Sequence, residues 1–442
     1  MNQETNNQPA SFWEANRLLI KGLFIGFLIL LMLIPIAMIS GLIHERQFRQ
    51  EEVVNEISRK WASGQTIQGP IVAIPYVVPA EKNKPAVRKN LYLLPDQLKI
   101  DGELMPEVRH RSLYDVTLYR SEVTLTGSFD VAQILKTGVD PSNIQWNEAH
   151  LLVGLDDARG LEEEVVLHWG QQAGTVEAGI PGFNMLKSGL STRVQIAEGA
   201  KTSFSIKLKL KGSEHLYFTP LGRTTRVSLK SPWTDPAFDG QYLPTSQAKV
   251  NDSGFVANWN ILQVSRNYPQ AWKDDVIQDL QASAFGVKLL QPTDNYAKTD
   301  RSVKYAILII ALTFTIFFFV ETFQKRQIHP LQYILVGIAL TVFYTLLLSI
   351  SEYLGYNPAY LIAASATVSL ITVYVYGIFK KIAIAAGFAV SLGGLYTYIF
   401  ILIQLQDYAL LFGSVGLFLI LAVIMYFSRK IDWYGVSKTA TA

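Results

Sequence analysis

Six long apolar runs constrain this 442-residue chain more than any other feature. About 20 apolar residues cross a bilayer as one α-helix, and runs of that length rarely form anything else. The runs are Gly22–Ile43, Val303–Phe323, Leu331–Ser351, Ala359–Phe379, Ile382–Ile403 and Tyr408–Phe427. The sequence therefore predicts an α-helical polytopic membrane protein with six transmembrane helices and about 260 residues between the first two.

The first run has two interpretations, a secretory signal peptide and a retained anchor. It is longer than a usual signal core, and the residues Ala37-Met38-Ile39-Ser40 make a poor cleavage site. We interpret it as a retained transmembrane helix, preceded by a short terminal segment over residues 1–21.

Basic residues near the ends of the runs predict the orientation, because cytoplasmic loops carry an excess of Lys and Arg. Ten of the 39 basic residues lie outside the long segment, and nine of them fall on one side of the membrane. The nine are Arg17, Lys21, Lys325, Arg326, Lys380, Lys381, Arg429, Lys430 and Lys438. The tenth, Lys304, can extend outward to the headgroups. Both termini, including residues 428–442, are therefore expected in the cytosol and the long segment outside it.

The long segment begins with a helical pattern and continues with a strand pattern. Apolar residues recur at helical spacing over residues 44–63, which predicts an amphipathic stalk helix packed on the following domain or, alternatively, on a membrane or partner. Residues 64–302 then alternate with period two between Gly, Pro and Asp turns, as in Ser203–Leu210 and Thr225–Lys230. We expect a large all-β, sandwich-like domain of one or two lobes that folds alone, without a metal, from residue 64.

Composition excludes several classes of function. A net charge of +3 and the lack of a dense basic tract argue against a nucleic-acid partner, and the absence of cysteine excludes disulfides and thiolate chemistry. The six histidines are isolated, and no nucleophile elbow or phosphate-binding loop occurs. The adjacent acids Asp156-Asp157 and Glu162–Glu164 are expected to form a solvated rim. We predict no enzyme activity, no catalytic residue, no metal and no cofactor.

Transport remains the main alternative, because six helices can form a pathway and transporters place ionisable groups within their spans. Glu321 is the acid inside a predicted span, and we expect it to form an ordinary interfacial ion pair with Lys325 or Arg326. The small and hydroxylated residues of the spans are expected to serve close helix packing, as is Gly22-x-x-x-Gly26. These residues are Ser349, Ser365, Thr367, Ser369, Thr372, Ser391, Gly393, Gly394, Gly413 and Gly416.

Several blocks of the chain closely resemble the CreD family of inner-membrane proteins, described as cell-envelope-integrity proteins. In the spans they include Phe317–Glu321, Ile328–Gly337 with His329 and Pro330, and Phe343–Glu352. Asp407–Ser414 and Asp432-Trp433-Tyr434 continue the pattern towards the C-terminus. In the long segment the similar blocks are Gly69–Pro75, Leu152–Gly160, Leu216–Gly222 and Ser265–Gln270.

The resemblance implies a bacterial inner-membrane protein with a periplasmic domain, linked to a two-component regulon and to tolerance of envelope-acting agents. It makes Glu321, His329, Pro330, Glu352, Asp407, Asp432, Trp433 and Tyr434 candidate functional residues. The expected partners are membrane lipid and an unidentified envelope component, which could be peptidoglycan, lipid or protein. We expect the β domain to bind or sense that component; the alternative is a lipid or small-molecule transporter that uses the domain as a receptor.

Overall fold

The computed structural model describes residues 17–80, 85–111, 113–180, 185–245, 248–274, 276, 278–289, 295–324, 326–405 and 408–430. The chain forms two compact units. One comprises Met1–Gln50 together with Thr293–Ala442, and the other comprises Glu51–Pro292.

Seven α-helices are present in the described part of the chain. They are α1 (Arg17–Trp61), α2 (Asn295–Lys304), α3 (Ala306–Gln324), α4 (Pro330–Leu354), α5 (Tyr356–Phe379), α6 (Ile382–Gln404) and α7 (Ala409–Ser428). All except α2 are long and apolar enough to cross a membrane, which confirms the predicted six-helix architecture. The helix α1 runs through the predicted span and the predicted stalk without interruption for 45 residues.

The second predicted span begins later than its hydropathy indicated. A separate polar helix, α2, ends at Lys304, and α3 starts at Ala306. The predicted β domain, residues 64–302, correspondingly ends too late, because its last strand stops at Leu289 and α2 belongs to the helical unit. The first two residues of the predicted span, Val303 and Lys304, instead end α2, and a turn at Tyr305 separates α2 from α3.

The unit between α1 and α2 is built from 17 strands in the described residues. The first eight are β1 (Gln65–Val78), β2 (Val87–Leu93), β3 (Gln97–Arg111), β4 (Tyr114–Asp130), β5 (His150–Leu155), β6 (Val166–Trp169), β7 (Gln172–Thr175) and β8 (Glu177–Ala178). The others are β9 (Gly189–Arg193), β10 (Lys201–Ser213), β11 (His215–Phe218), β12 (Thr224–Ser231), β13 (Pro236–Gly240), β14 (Lys249–Asn251), β15 (Gly254–Leu262), β16 (Ala271–Lys273) and β17 (Phe285–Leu289).

The strands form two sheets that share one core. One sheet has the order β13-β17-β11-β1-β5-β9-β8, with β2 and β16 branching from β1, and the other has the order β14-β15-β12-β3-β4-β10-β6-β7. The pairs β1–β11 and β12–β3 are parallel, so the sheets are mixed rather than purely antiparallel. Strands of the two sheets alternate along the chain. Neither sheet can therefore form without the segments that build the other sheet.

Alternation along the strands produces the core. Every second residue of β10 between Phe204 and Leu210 is buried, and it packs in one hydrophobic cluster with residues of the opposite sheet such as Ile71 and Leu152. Fully burying such a side chain stabilises the fold by roughly 1.5–3 kcal/mol. This single cluster makes the domain a sandwich, as predicted, and not two separate lobes.

Candidate functional site

Glu321 lies in the last turn of α3 and is buried, with 6% of its surface exposed. It forms an ion pair with Lys21 of α1, whose side chain is 23% exposed. The Tyr333 hydroxyl of α4 donates a hydrogen bond to Oε2 at 2.9 Å, and the Ile328 N–H donates to Oε1 at 2.8 Å. One carboxylate therefore joins three helices and the loop after α3.

The predicted exposed pair of Glu321 with Lys325 or Arg326 is wrong as far as the described residues show. Arg326 is exposed, Lys325 lies outside the described residues, and the basic partner of Glu321 comes from 300 residues earlier in the chain. The physical reason is that the loop before α4 buries Ile328 beside the carboxylate and its N–H donates to Glu321. Spacing along one helix could not reveal a partner supplied by α1.

His329 and Pro330 start the helix α4. The Leu331 N–H donates to His329 Nδ1 at 3.3 Å, the His329 N–H donates to Gln332 Oε1 at 3.0 Å, and Pro330 occupies the first turn. This is a capping box, which satisfies N–H groups that no helical carbonyl can reach. Both residues therefore have a structural role in setting the direction of α4 beside Glu321.

Glu352 lies at the opposite end of α4 from Glu321. Its side chain is 10% exposed, accepts a hydrogen bond from the Tyr296 hydroxyl of α2 at 3.1 Å, and lies 3.8 Å from Nε of Arg46 of α1. Nearby, Asn295 accepts a hydrogen bond from the Tyr356 N–H at 3.0 Å. A carboxylate that contacts α1 therefore lies beside each end of α4, namely Glu321 of α3 near its start and Glu352 in its last turn. The other candidates, Asp407, Asp432, Trp433 and Tyr434, lie outside the described residues.

Sequence reasoning missed a buried tyrosine cluster in the same bundle. Tyr344, Tyr356, Tyr360 and Tyr396 extend from the α2 contact towards the middle of α4. The Tyr356 hydroxyl lies 2.8 Å from Ser302 Oγ, and the Tyr360 hydroxyl donates to the Tyr396 carbonyl at 2.8 Å. The hydroxyls of Tyr344 and Tyr396 have no hydrogen-bond partner among the described residues. The available signal was Tyr344 and Tyr396, which lie within apolar spans and away from the interfaces where such residues usually lie, whereas Tyr356 and Tyr360 lie at the start of α5.

The end of α1 forms a second polar cluster, within the β unit. The Trp61 ring lies 4.2 Å from the Arg109 guanidinium and 5.1 Å from both Arg120 and Lys211. After the helix ends, Ala62 is fully buried and its carbonyl accepts a hydrogen bond from the Ser213 hydroxyl at 3.0 Å. The last turn of the stalk is therefore part of the folded domain.

Asp157 belongs to this cluster, contrary to the expected solvated rim. It is buried, and the Ser63 N–H donates to it at 3.2 Å, while Nε and Nη2 of Arg159 donate at 2.9 and 2.8 Å. The Arg159 hydrogen bonds hold the pKa of the Asp157 carboxyl below its ordinary value. Asp156 is exposed, as expected of a rim residue.

The acids Glu162–Glu164 are also exposed, in agreement with the expected rim. Glu162 pairs with Arg120 at 3.0 Å, and Glu163 pairs with Lys209 at 2.6 Å. Within the described residues, no three His, Asp or Glu side chains come together as a group that could hold a metal ion.

Known proteins resemble this chain over nearly its whole length. The family model described as inner membrane protein CreD matches residues 17–434 of the chain. The inner membrane protein CreD of Escherichia coli strain K12 is 33% identical over 421 residues, and the alignment covers 92% of this chain and 92% of that protein.

Proposed function

Because the chain belongs to the CreD family of inner-membrane proteins, we propose that it contributes to envelope integrity through its β domain, which binds or senses an envelope component. The family match and the six apolar helices support a location in the inner membrane. The bundle then anchors the domain and receives its signal.

The proposed orientation has both termini in the cytosol and the β domain in the periplasm. It rests on the nine basic residues at one end of the spans, since cytoplasmic loops retain Lys and Arg. The described members of this group include Arg326, Lys380 and Lys381, which lie in the short loops after α3 and α5.

One observation carries the sensing role, namely that α1 contributes to both units. Lys21 near its start is paired with the buried Glu321, and Trp61 at its end is held by cations of the β domain. A ligand that shifts the strands around Trp61 would therefore act on the same helix that fixes Lys21.

Photo-crosslinking in cells tests this proposal. A photoreactive residue replaces an exposed position of the β domain, Asp252 or Val264, or an exposed position of the bundle, Leu419. We expect envelope material to be trapped at the domain positions, and the trapping to be strongest under envelope-acting agents. Trapping of a transported molecule along the bundle, with none at the domain, would contradict the proposal.

The alternative, a lipid or small-molecule transporter with the domain as receptor, is favoured by the burial of Glu321 inside the bundle. A carboxylate within a membrane span is a candidate for carrying protons or ions. Its hydrogen bonds to Tyr333 and Ile328 and its pairing with Lys21 are nevertheless those of a satisfied structural group. The variants described in the Discussion separate the two roles.

A further inference from the structure

A groove of about 590 Å³ runs between α3, α6 and α7. Its walls are aromatic and aliphatic, and they include Phe319 and Phe323 of α3 and Leu419 and Phe427 of α7. Small residues leave the space open, since a Cβ atom added at Gly394 would meet no neighbouring atom within 4 Å. No residue of α7 is buried, so this helix borders the groove without filling it.

The open glycines also correct the expectation of close helix packing. A Cβ atom added at any of five glycines would meet no neighbouring atom within 4 Å, and these glycines are Gly22, Gly26, Gly393, Gly394 and Gly413. Gly416 does serve packing, because a side chain there would collide with Tyr398. Five of these six glycines therefore do not bring two helices of the described chain together.

The depth of the groove matches one leaflet of a bilayer. On α3 it extends from Leu312 to Phe323 and on α7 from Gly416 to Phe427. Eleven residues of helix correspond to about 16 Å, roughly half of a hydrocarbon core about 30 Å thick. The groove thus begins near the middle of the spans and ends where α3 and α7 end.

That end of the groove is strongly basic. Lys430 lies 5.7 Å from the ring of the groove residue Phe427, and Lys381 donates to Gln324, the residue after Phe323, at 2.9 Å. The described basic residues at this end of the bundle are Lys21, Arg326, Lys380, Lys381, Arg429 and Lys430. The described acid there, Glu321, is buried and already paired with Lys21.

We propose that the groove seats the acyl chains of an anionic phospholipid from the adjoining leaflet, with the headgroup phosphate held by Arg429, Lys430 and Lys381. Leaflet depth and apolar walls select acyl chains. The cations at the mouth select an anionic headgroup, because the described residues place no acid there except Glu321, which is already paired with Lys21. Lipid binding in this groove does not depend on what the β domain binds.

Native mass spectrometry of the purified full-length chain tests the proposal with phosphatidylglycerol and with phosphatidylcholine of the same acyl chains. We expect one retained phosphatidylglycerol and at least a tenfold preference over phosphatidylcholine. Gly394→Leu should lower retention of both lipids at least tenfold by filling the groove. The control Gly377→Leu should have no effect, because Gly377 is an equally open glycine on α5, which contributes no groove residue.

The double variant Arg429→Gln with Lys430→Gln should reduce the preference for phosphatidylglycerol over phosphatidylcholine to within about twofold, while both lipids still bind. If Gly394→Leu does not accumulate, Leu419→Trp fills the groove from the exposed α7, with Leu410→Trp as its control outside the groove. Equal retention of the two lipids by the unmodified chain would overturn the proposal. So would a dimer without lipid that becomes monomeric in Gly394→Leu, since a second copy would then occupy the groove.

Discussion

Glu321 shows how a tertiary contact changes the free energy that a single residue is expected to contribute to stability. An exposed helical ion pair is worth roughly 0–1 kcal/mol, whereas a buried carboxylate that accepts hydrogen bonds is expensive to disturb. Here the carboxylate receives the Tyr333 hydroxyl and the Ile328 N–H and pairs with Lys21. Glu321→Gln is therefore expected to cost more stability than the loss of an exposed ion pair would.

Glu321→Gln should lower the membrane level of the protein several-fold. The amide nitrogen cannot accept a hydrogen bond, and Lys21 loses its counter-charge, with a loss of roughly 1.5–3 kcal/mol. Adding Lys21→Met to the same chain should restore much of the level, because no unpaired charge remains. Quantitative immunoblotting of membranes, with complementation of a deletion, measures both effects.

A transport role of Glu321 predicts a different pattern. If the carboxylate carries protons or ions, Glu321→Gln accumulates normally and fails to complement, and Lys21→Met does not rescue it. Such a result would replace the anchor interpretation with the transporter.

Asp157 gives the β domain a defined dependence on pH. Hydrogen bonds from Arg159 hold the pKa of its carboxyl below the unfolded value, which is near 4. The stabilisation is therefore fully present above the unfolded pKa and is lost as the pH falls through the lower, folded pKa. Its burial beside Ser63 makes this contribution specific to Asp157 and not to its exposed neighbour Asp156.

Asp157→Asn should destabilise the fragment 51–292 by about 1–2 kcal/mol at pH 7. The difference from the unmodified fragment should begin to shrink as the pH falls below the unfolded value near 4, and it should disappear only once the pH falls below the lower, folded pKa of Asp157. Urea unfolding across this pH range measures the difference. Asp156→Asn is the matched control, and an equal effect of the two substitutions would show that the buried contacts of Asp157 are unimportant.

Among the elements, α1 departs most from a simple membrane anchor. Its predicted stalk is continuous with the span, and its last turn enters the β unit through Trp61 and Ala62. A cation close to an indole ring contributes about 0.5–2 kcal/mol, and the polar contacts of Ser63 add to it. The stable domain therefore starts before residue 64, within the unit Glu51–Pro292.

A fragment of residues 51–292 should melt about 10 °C higher than one of residues 64–292. The shorter fragment loses the Trp61 and Ser63 contacts, together about 3 kcal/mol, and 1 kcal/mol shifts the melting temperature of a domain this size by about 2–4 °C. Circular dichroism melting measures both. A fragment of residues 55–292 keeps Trp61 and should match the longer one, whereas equal melting of 51–292 and 64–292 would refute a structural role of the stalk end.

At the scale of the whole molecule, the orientation of the spans decides on which side of the membrane the β domain lies. The chain has no cysteine, so single cysteines introduced at exposed sites can be labelled without background. Cysteines at Asp252 and Leu354 should react with a membrane-impermeant thiol reagent in intact spheroplasts. A cysteine at Gln327 should react only after lysis, and labelling of Gln327 in intact spheroplasts would reverse the proposed topology.

The sequence by itself determined the spans, the sandwich class and the family. Each of these follows from a signal that persists over many residues, namely apolar runs long enough for a bilayer, period-two alternation between turns, or blocks in a fixed order. The start of the second span was less well predicted, because a turn at Tyr305 divides α2 from α3 and hydropathy gives no signal for it, Val303 and Ala306 on either side being apolar.

Only the tertiary structure decided the partners of the polar residues. Glu321 pairs with a lysine 300 positions away, and Asp157 differs from Asp156 because Ser63, 94 positions away, reaches it. Spacing along a helix or strand describes neighbours on one element, whereas these contacts depend on which elements pack together. The same holds for the open groove at Gly394, since whether a glycine meets a neighbouring helix or empty space depends on the distance between helices and not on its own position in the chain.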